Sequence, residues 1–181
     1  MNDILDRALA QLDDELTQRN LNLEIVICGA YALHLLGYSR SEHTLDVDSI
    51  MKLNSSEVSE IIEGIGQKLG IGPNWLNDQA ATVSLPKGIL ARASPIQKWK
   101  SIKASTVSRN DLIKMKASAF SIRRDQTNKD WEDLVLMQPT AAEINEAILF
   151  IKESNFPPLD ASKQILNEFE ESLRDLRKIP R

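Results

Sequence analysis

The chain has one cysteine, Cys28, so no internal disulfide is available to it, and the place of that residue in an apolar run marks it as a small buried packing side chain. No apolar run approaches the roughly eighteen residues that a membrane-crossing helix needs. The opening residues, MNDILDRALAQLDDEL, are charged and periodic rather than basic and then apolar, so no signal peptide is expected there. Internal repeats and low-complexity tracts are also missing. These absences together fit a cytoplasmic protein. A further absence is local: from Gln79 to Asn110 there is no Asp or Glu, while Lys87, Arg92, Lys98, Lys100, Lys103 and Arg109 all fall in that stretch.

What is present is ordinary for a globular chain. With 181 residues, 42% hydrophobic and 27% charged, a sizeable core can be buried in one domain or in a compact domain with a helical appendage. The net charge of −4 makes the acid-free stretch stand out as a positive segment in an acidic protein. Such a segment suits a phosphate-bearing partner, or else a solvated sheet face opposite acidic neighbours.

Periodicity predicts the elements. Residues 3–19 read as an amphipathic helix with Leu5, Leu9, Leu12 and Leu16 on one stripe, broken at Arg19-Asn20-Leu21-Asn22. Asn54 to Glu57 resembles a capping box that opens a helix carrying Val58, Ile61, Ile62, Ile65 and Leu69, and Gly70 to Pro73 ends it. Trp75 reads as a core anchor, with Asn77 and Asp78 as helix caps. Ala81 to Leu85 and Ile96 to Ala104 are strand candidates. Ser108 to Asp111 opens a helix that is apolar on nearly every side, with Lys114, Ser118 and Ser121 as its wet stripe. Lys116 falls about 200° round the helix from Lys114 at 3.6 residues per turn, so it is directed inward and needs an anion, or extends its stem to water. Asp130 is placed as an N-cap for the helix of Trp131 and Leu134. Thr140 to Glu143 is a capping box, and a last helix is expected from Asp160 after Phe156-Pro157-Pro158.

The stretch Glu24 to Met51, EIVICGAYALHLLGYSRSEHTLDVDSIM, holds the densest chemistry. An apolar strand ends at Gly29, which permits a sharp bend before a short helix starting near Ala30, with N–H groups left to meet a phosphate. Asp46 and Asp48 then follow two positions apart. On a strand they share a face, and two carboxylates side by side call for a cation or proton between them. A hard divalent metal is the economical answer, since Mg²⁺ is held by one or two carboxylates together with substrate phosphates. His43 reads as a solvated loop residue.

Strand, Gly-small turn, helix and then D-x-D resembles the DNA polymerase β-like nucleotidyltransferases. Within them the chain looks most like small bacterial proteins related to AbiEii-type toxins. The matching residues are Gly29, Ala30, Ala32, Leu33, Leu35, Gly37, Thr44, Asp46, Val47 and Asp48, with Trp75-Leu76-Asn77-Asp78 and the run from Arg123 to Leu134 adding to the likeness. The resemblance implies an α+β fold, with a small mixed β-sheet, helices packed on one face and C-terminal helices. Its expected domains are 1–138 for the nucleotidyltransferase and 139–181 for a helical appendage packed on it. It implies transfer of a nucleoside monophosphate from an NTP to a hydroxyl of RNA, such as tRNA, or of protein. It also implies Mg²⁺ or Mn²⁺ on Asp46 and Asp48, and an antitoxin as possible partner. Gly29, Ala30, Arg40, Thr44 and Lys116 are the implied nucleotide contacts, although Arg40 stands farther from Thr44 than in the family pattern. Asp130 would polarise a hydroxyl or organise Lys116 as a charge pair. Arg123, Arg124 and Lys129 would reach phosphates or lie in solvent. The family usually places a third carboxylate on a strand between Gln79 and Asn110, and this chain has none. Either another group activates the nucleophile or the fold is retained as a binding module without turnover.

Overall fold

Strand β1 (Leu23–Cys28) is the middle of a mixed five-stranded sheet in the computed structural model, which describes residues 3–39, 44–82, 84–123, 129–154, 171 and 174–175. The other strands are β2 (Val47–Ser49), β3 (Leu76–Asn77), β4 (Ser94–Ile96) and β5 (Ile102–Thr106), in the order β3-β2-β1-β5-β4. β1 runs parallel to β5 and antiparallel to β2, β2 runs parallel to β3, and β4 closes the edge antiparallel to β5. With α1 (Asp3–Gln18), α2 (Gly29–Leu35), α3 (Ser56–Leu69), α4 (Ile89–Arg92), α5 (Arg109–Arg123), α6 (Lys129–Met137) and α7 (Ala141–Glu153), the fold is α+β. Contacts divide it into two units, Met1–Ser108, which contains the sheet, and Arg109–Arg181.

Side-chain alternation gives the sheet two unlike faces. Leu23, Ile25 and Ile27 share a face with Val47, Ser49, Ile102, Ala104 and Thr106, and all of them are buried. Register puts Glu24, Val26 and Cys28 on the other face with Asp48, Asn77, Lys103 and Ser105, and a 3.3 Å ion pair joins Glu24 to Lys103 there. Cys28 is buried, as its apolar surroundings predict. Helix α1 buries Leu5, Leu9, Leu12 and Leu16 completely and packs on α3. It ends where Asn20 enters the left-handed region at φ 54°. The cap of α3 is Ser55, whose hydroxyl accepts from Val58 N–H at 3.3 Å, one residue later than expected, and Gly70 at φ 69° closes that helix. Trp75 is 1% exposed and its indole N–H donates to the Ile62 carbonyl at 2.8 Å, which makes it the anchor its size predicted.

Two strand expectations are corrected. Ala81 and Thr82 lie in a 3-10 turn (Gln79–Thr82), because the Asn77 carboxamide oxygen accepts from Gln79 N–H and the Asp78 carbonyl from Ala81 N–H, bending the chain before it can extend. Ile96 to Ala104 is two strands rather than one. Between them the Asp13 carboxylate of α1 accepts from the N–H groups of Lys100 (3.0 Å), Ser101 (2.7 Å) and Ile102 (3.0 Å), spending on a side chain the donors that a continuous ladder would use. Pro95, which lacks an N–H, is tolerated because β4 is an edge. Asp78 is no helix cap either: its carboxylate accepts from Leu53 N–H at 2.9 Å.

Asp13 is therefore a staple between α1 and β5. Burial alone would raise its pKa, but the three amides outweigh this and hold the carboxyl below the usual range. Asp13→Ala is expected to cost about 1–3 kcal/mol, because buried N–H groups lose their acceptor. A depressed folded pKa contributes stability above the unfolded value and loses it as pH falls. In urea melts the parent should weaken below about pH 4, and the variant should show a shallower acid limb.

Three of the lysines and arginines in the acid-free stretch are answered from elsewhere in their own unit. Lys98 pairs with Asp6 at 2.8 Å, Lys103 with Glu24, and Arg109 with Glu143. Of the three only Lys103 lies on a sheet face, exposed opposite Glu24 as the solvated alternative expects.

In the second unit α5 packs on α6 and α7. The Thr140 capping box is complete, with Thr140 Oγ1 accepting from Glu143 N–H and the Glu143 carboxylate from Thr140 N–H. The Lys114, Ser118 and Ser121 stripe is not the wet face. Ser121 is buried and donates to the Ser118 carbonyl at 2.7 Å, and Lys114 pairs with Glu146 of α7 at 2.8 Å, because that side of α5 faces α7. The helix expected from Asp160 lies outside the described residues apart from helical 171, 174 and 175.

Candidate functional site

At the end of β1 the chain turns through Gly29, whose φ of +66° is a conformation that L side chains rarely adopt. α2 starts there and is tied down by Tyr31, which is fully buried and donates its hydroxyl to Asp6 at 2.8 Å. Ala30 is the second residue of α2 and is half-buried. Cys28 is paired in register with Asp48, so the Asp48 side chain reaches the bend from the neighbouring strand. A Cβ built on Gly29 would overlap Asp48 Oδ2 and stand 3.1 Å from its Cγ. Glycine leaves the space in which that carboxylate sits.

Asp46 stands one residue before β2 rather than within it, exposed, with its carboxylate accepting from the Thr44 hydroxyl. The strand is shorter than the sequence suggests, so Asp48 alone of the two is held by the ladder. Its Oδ1 accepts from the Asn77 carboxamide N–H at 3.1 Å; Asn77 is its register partner on β3. Sequence reasoning gave Asn77 only a capping role. Arg40 and His43 lie outside the described residues.

These residues fit a divalent cation of one kind. Among the described residues no three His, Cys, Asp or Glu side chains gather as a cage. Two carboxylates, one seated over a glycine cradle and one exposed, suit Mg²⁺ or Mn²⁺ whose remaining ligands are water and substrate phosphate oxygens. On β5 the positions facing Asp48's side are Lys103 and Ser105, so no third carboxylate comes from that strand. Gly29→Ala is expected to lose about 1–2 kcal/mol to left-handed strain and to displace the Asp48 carboxylate. A urea melt reads the first effect and a Mn²⁺ titration the second.

The second unit holds another charged cluster. Lys116 is 9% exposed and directed inward, as helical spacing predicts, and its ammonium lies 2.8 Å from Asp130 Oδ1 and 2.7 Å from Asp133 Oδ2. Both acids are on α6, three residues apart and therefore on one helix face. Asp130 is in the first turn of α6, which begins at Lys129, so it is not the N-cap: its carboxylate is spent on Lys116. Burial alone would lower the lysine's pKa, but the Asp130 and Asp133 carboxylates more than offset this, so the ammonium stays charged. Asp133 went unassigned in the sequence; its signal was its spacing from Asp130 and an inward lysine in need of charge. Lys129 is exposed, the Arg123 side chain is not described, and Arg124 lies outside the described residues.

Among the described residues no helix is long and apolar enough to cross a membrane. A model of the family described as "Nucleotidyltransferase of unknown function (DUF6036)" matches residues 6–176. Neither the curated proteins nor the solved structures gave a match.

Proposed function

Since the chain belongs to this family of nucleotidyltransferases, we propose that it moves a nucleoside monophosphate from an NTP to an acceptor hydroxyl, using Asp46 and Asp48 to hold Mg²⁺ or Mn²⁺. The observation that carries this reading is the Asp48 carboxylate seated over the Gly29 bend. The space a side chain at Gly29 would take is filled by the Asp48 carboxylate, and Asp48 and Asp46 would offer hard oxygen ligands there to a cation that carries the triphosphate. When bound, the cation would neutralise charge on the phosphoryl oxygens. The acceptor oxygen bonds to the α-phosphorus, the bond to the bridging oxygen breaks, pyrophosphate leaves and the hydroxyl proton passes to water. Thr44 orients Asp46 through its hydroxyl. Lys116, at the position where the resembled families carry a phosphate-binding lysine, is proposed on that likeness as a nucleotide contact; within its own unit its ammonium is paired with Asp130 and Asp133.

The likeness to AbiEii-type toxins rests on the Gly29-Ala30 turn, Thr44-Leu45-Asp46-Val47-Asp48 and Trp75-Leu76-Asn77-Asp78. It makes RNA, tRNA first, the acceptor to try, then protein hydroxyls, and an antitoxin-like protein the partner to seek. The test is incubation with α-labelled NTP, Mg²⁺ and each acceptor in turn. Label on the acceptor with release of pyrophosphate is expected.

A second reading is supported by the lack of a carboxylate on β5: a module that grips a nucleotide without turnover. Calorimetry with each NTP and Mg²⁺ separates the two, since the module binds and never releases pyrophosphate.

A further inference from the structure

Asn77 bridges two groups whose chemistry is fixed. Gln79 N–H can only donate, and the Asp48 carboxylate, when ionised, can only accept. A carboxamide between them therefore has one orientation: Oδ1 takes the Gln79 N–H at 3.1 Å, and Nδ2 donates to Asp48 Oδ1 at 3.1 Å. The parallel pairing of β2 with β3 sets Asn77 directly beside Asp48 on the same sheet face. With Oδ1 held from β3, the other oxygen of Asp48 is turned onto the Gly29 bend.

We infer that Asn77 is a positioning residue: it holds the Asp48 carboxylate in the orientation that presents it to a divalent cation at the Gly29 bend. This rests on the proposed metal-dependent reading of Asp46 and Asp48. A carboxylate beside a bare glycine can swing about two bonds, and a donor placed by β3 restrains that swing before any cation arrives. Partners of this kind set the affinity of the ligands they hold, and their loss typically costs about 10–100-fold in metal affinity or activity.

The same residue also starts the 3-10 turn, so the test must separate the two roles. Asn77→Thr keeps a hydroxyl able to accept from Gln79 N–H, as Thr does at such turns, but that group is one bond shorter than the carboxamide and does not reach Asp48. Asn77→Ala loses both contacts. Mn²⁺ binding to the full chain without nucleotide is read by electron paramagnetic resonance of the free ion, beside melting temperature and the metal dependence of nucleotide transfer. For Asn77→Thr the expected result is a parental melting temperature, about tenfold or greater weakening of Mn²⁺ binding, and a kcat largely recovered at saturating metal. If Asn77→Thr folds poorly, Asn77→Ser, which keeps the same hydroxyl, takes its place. Parental Mn²⁺ affinity in the variant overturns the inference alone. Failure of the unsubstituted chain to bind Mn²⁺, with or without NTP, overturns the metal-dependent reading and this inference with it.

Discussion

Asp48→Asn is expected to lower nucleotide transfer by about three orders of magnitude, the scale on which a positioned electrostatic contact to a reacting centre is felt, while leaving the melting temperature of the metal-free protein close to the parent's. The two halves of this expectation have one cause. The isosteric amide still fills the space over Gly29, so packing is conserved, but it no longer offers a charged oxygen to a divalent cation. Asp46→Asn should act in the same direction on transfer with less effect on melting, because its side chain is exposed. Transfer of α-label at the parental rate by either variant would sink the proposed chemistry. A large fall in melting temperature for Asp48→Asn would instead make that carboxylate a structural element.

Lys116→Met should be strongly destabilising, at about 3–5 kcal/mol, because it takes the ammonium from two carboxylates that are 4% and 1% exposed. The companion variant, Lys116→Met with Asp130→Asn and Asp133→Asn, removes the charges together and should recover much of that loss. Urea melts of the pair measure the structural contribution. Transfer assays on the triple variant then test the functional one, since a stable but inactive triple variant makes the Lys116, Asp130 and Asp133 cluster needed for chemistry. If the triple variant is both stable and active, Lys116 is a packing charge and its role toward the nucleotide falls away.

Local features were readable from the sequence, and pairings across distance were not. Gly29 and Asp48 could be found because a bend at a strand end and a D-x-D run are neighbours in the chain, and the inward direction of Lys116 follows from helical geometry alone. Which anion meets Lys116 depends on how α6 is set against α5, and nothing local specifies that. Asn77 is the sharper case. It is brought beside Asp48 by a parallel pairing of β2 with β3, with all of α3 lying between them in sequence, so its own surroundings suggested only a cap. The two strand errors have the same origin. Asn77 takes the Gln79 amide and starts a 3-10 turn where a strand is expected, and Asp13 captures amides inside the Ile96 to Ala104 run.

The strand order carries a consequence for how the protein is made. β1 is made before every other strand of the sheet and its parallel neighbour β5 is the last, and α1 meets the amides that Asp13 holds only when residues 100–102 appear. Until then a nascent chain carries an apolar central strand with one side unzipped, an invitation to pair with a neighbouring copy. The long wait between first and last strand, which slows any fold built on distant contacts, makes translation beyond Thr106 the event that seals the sheet.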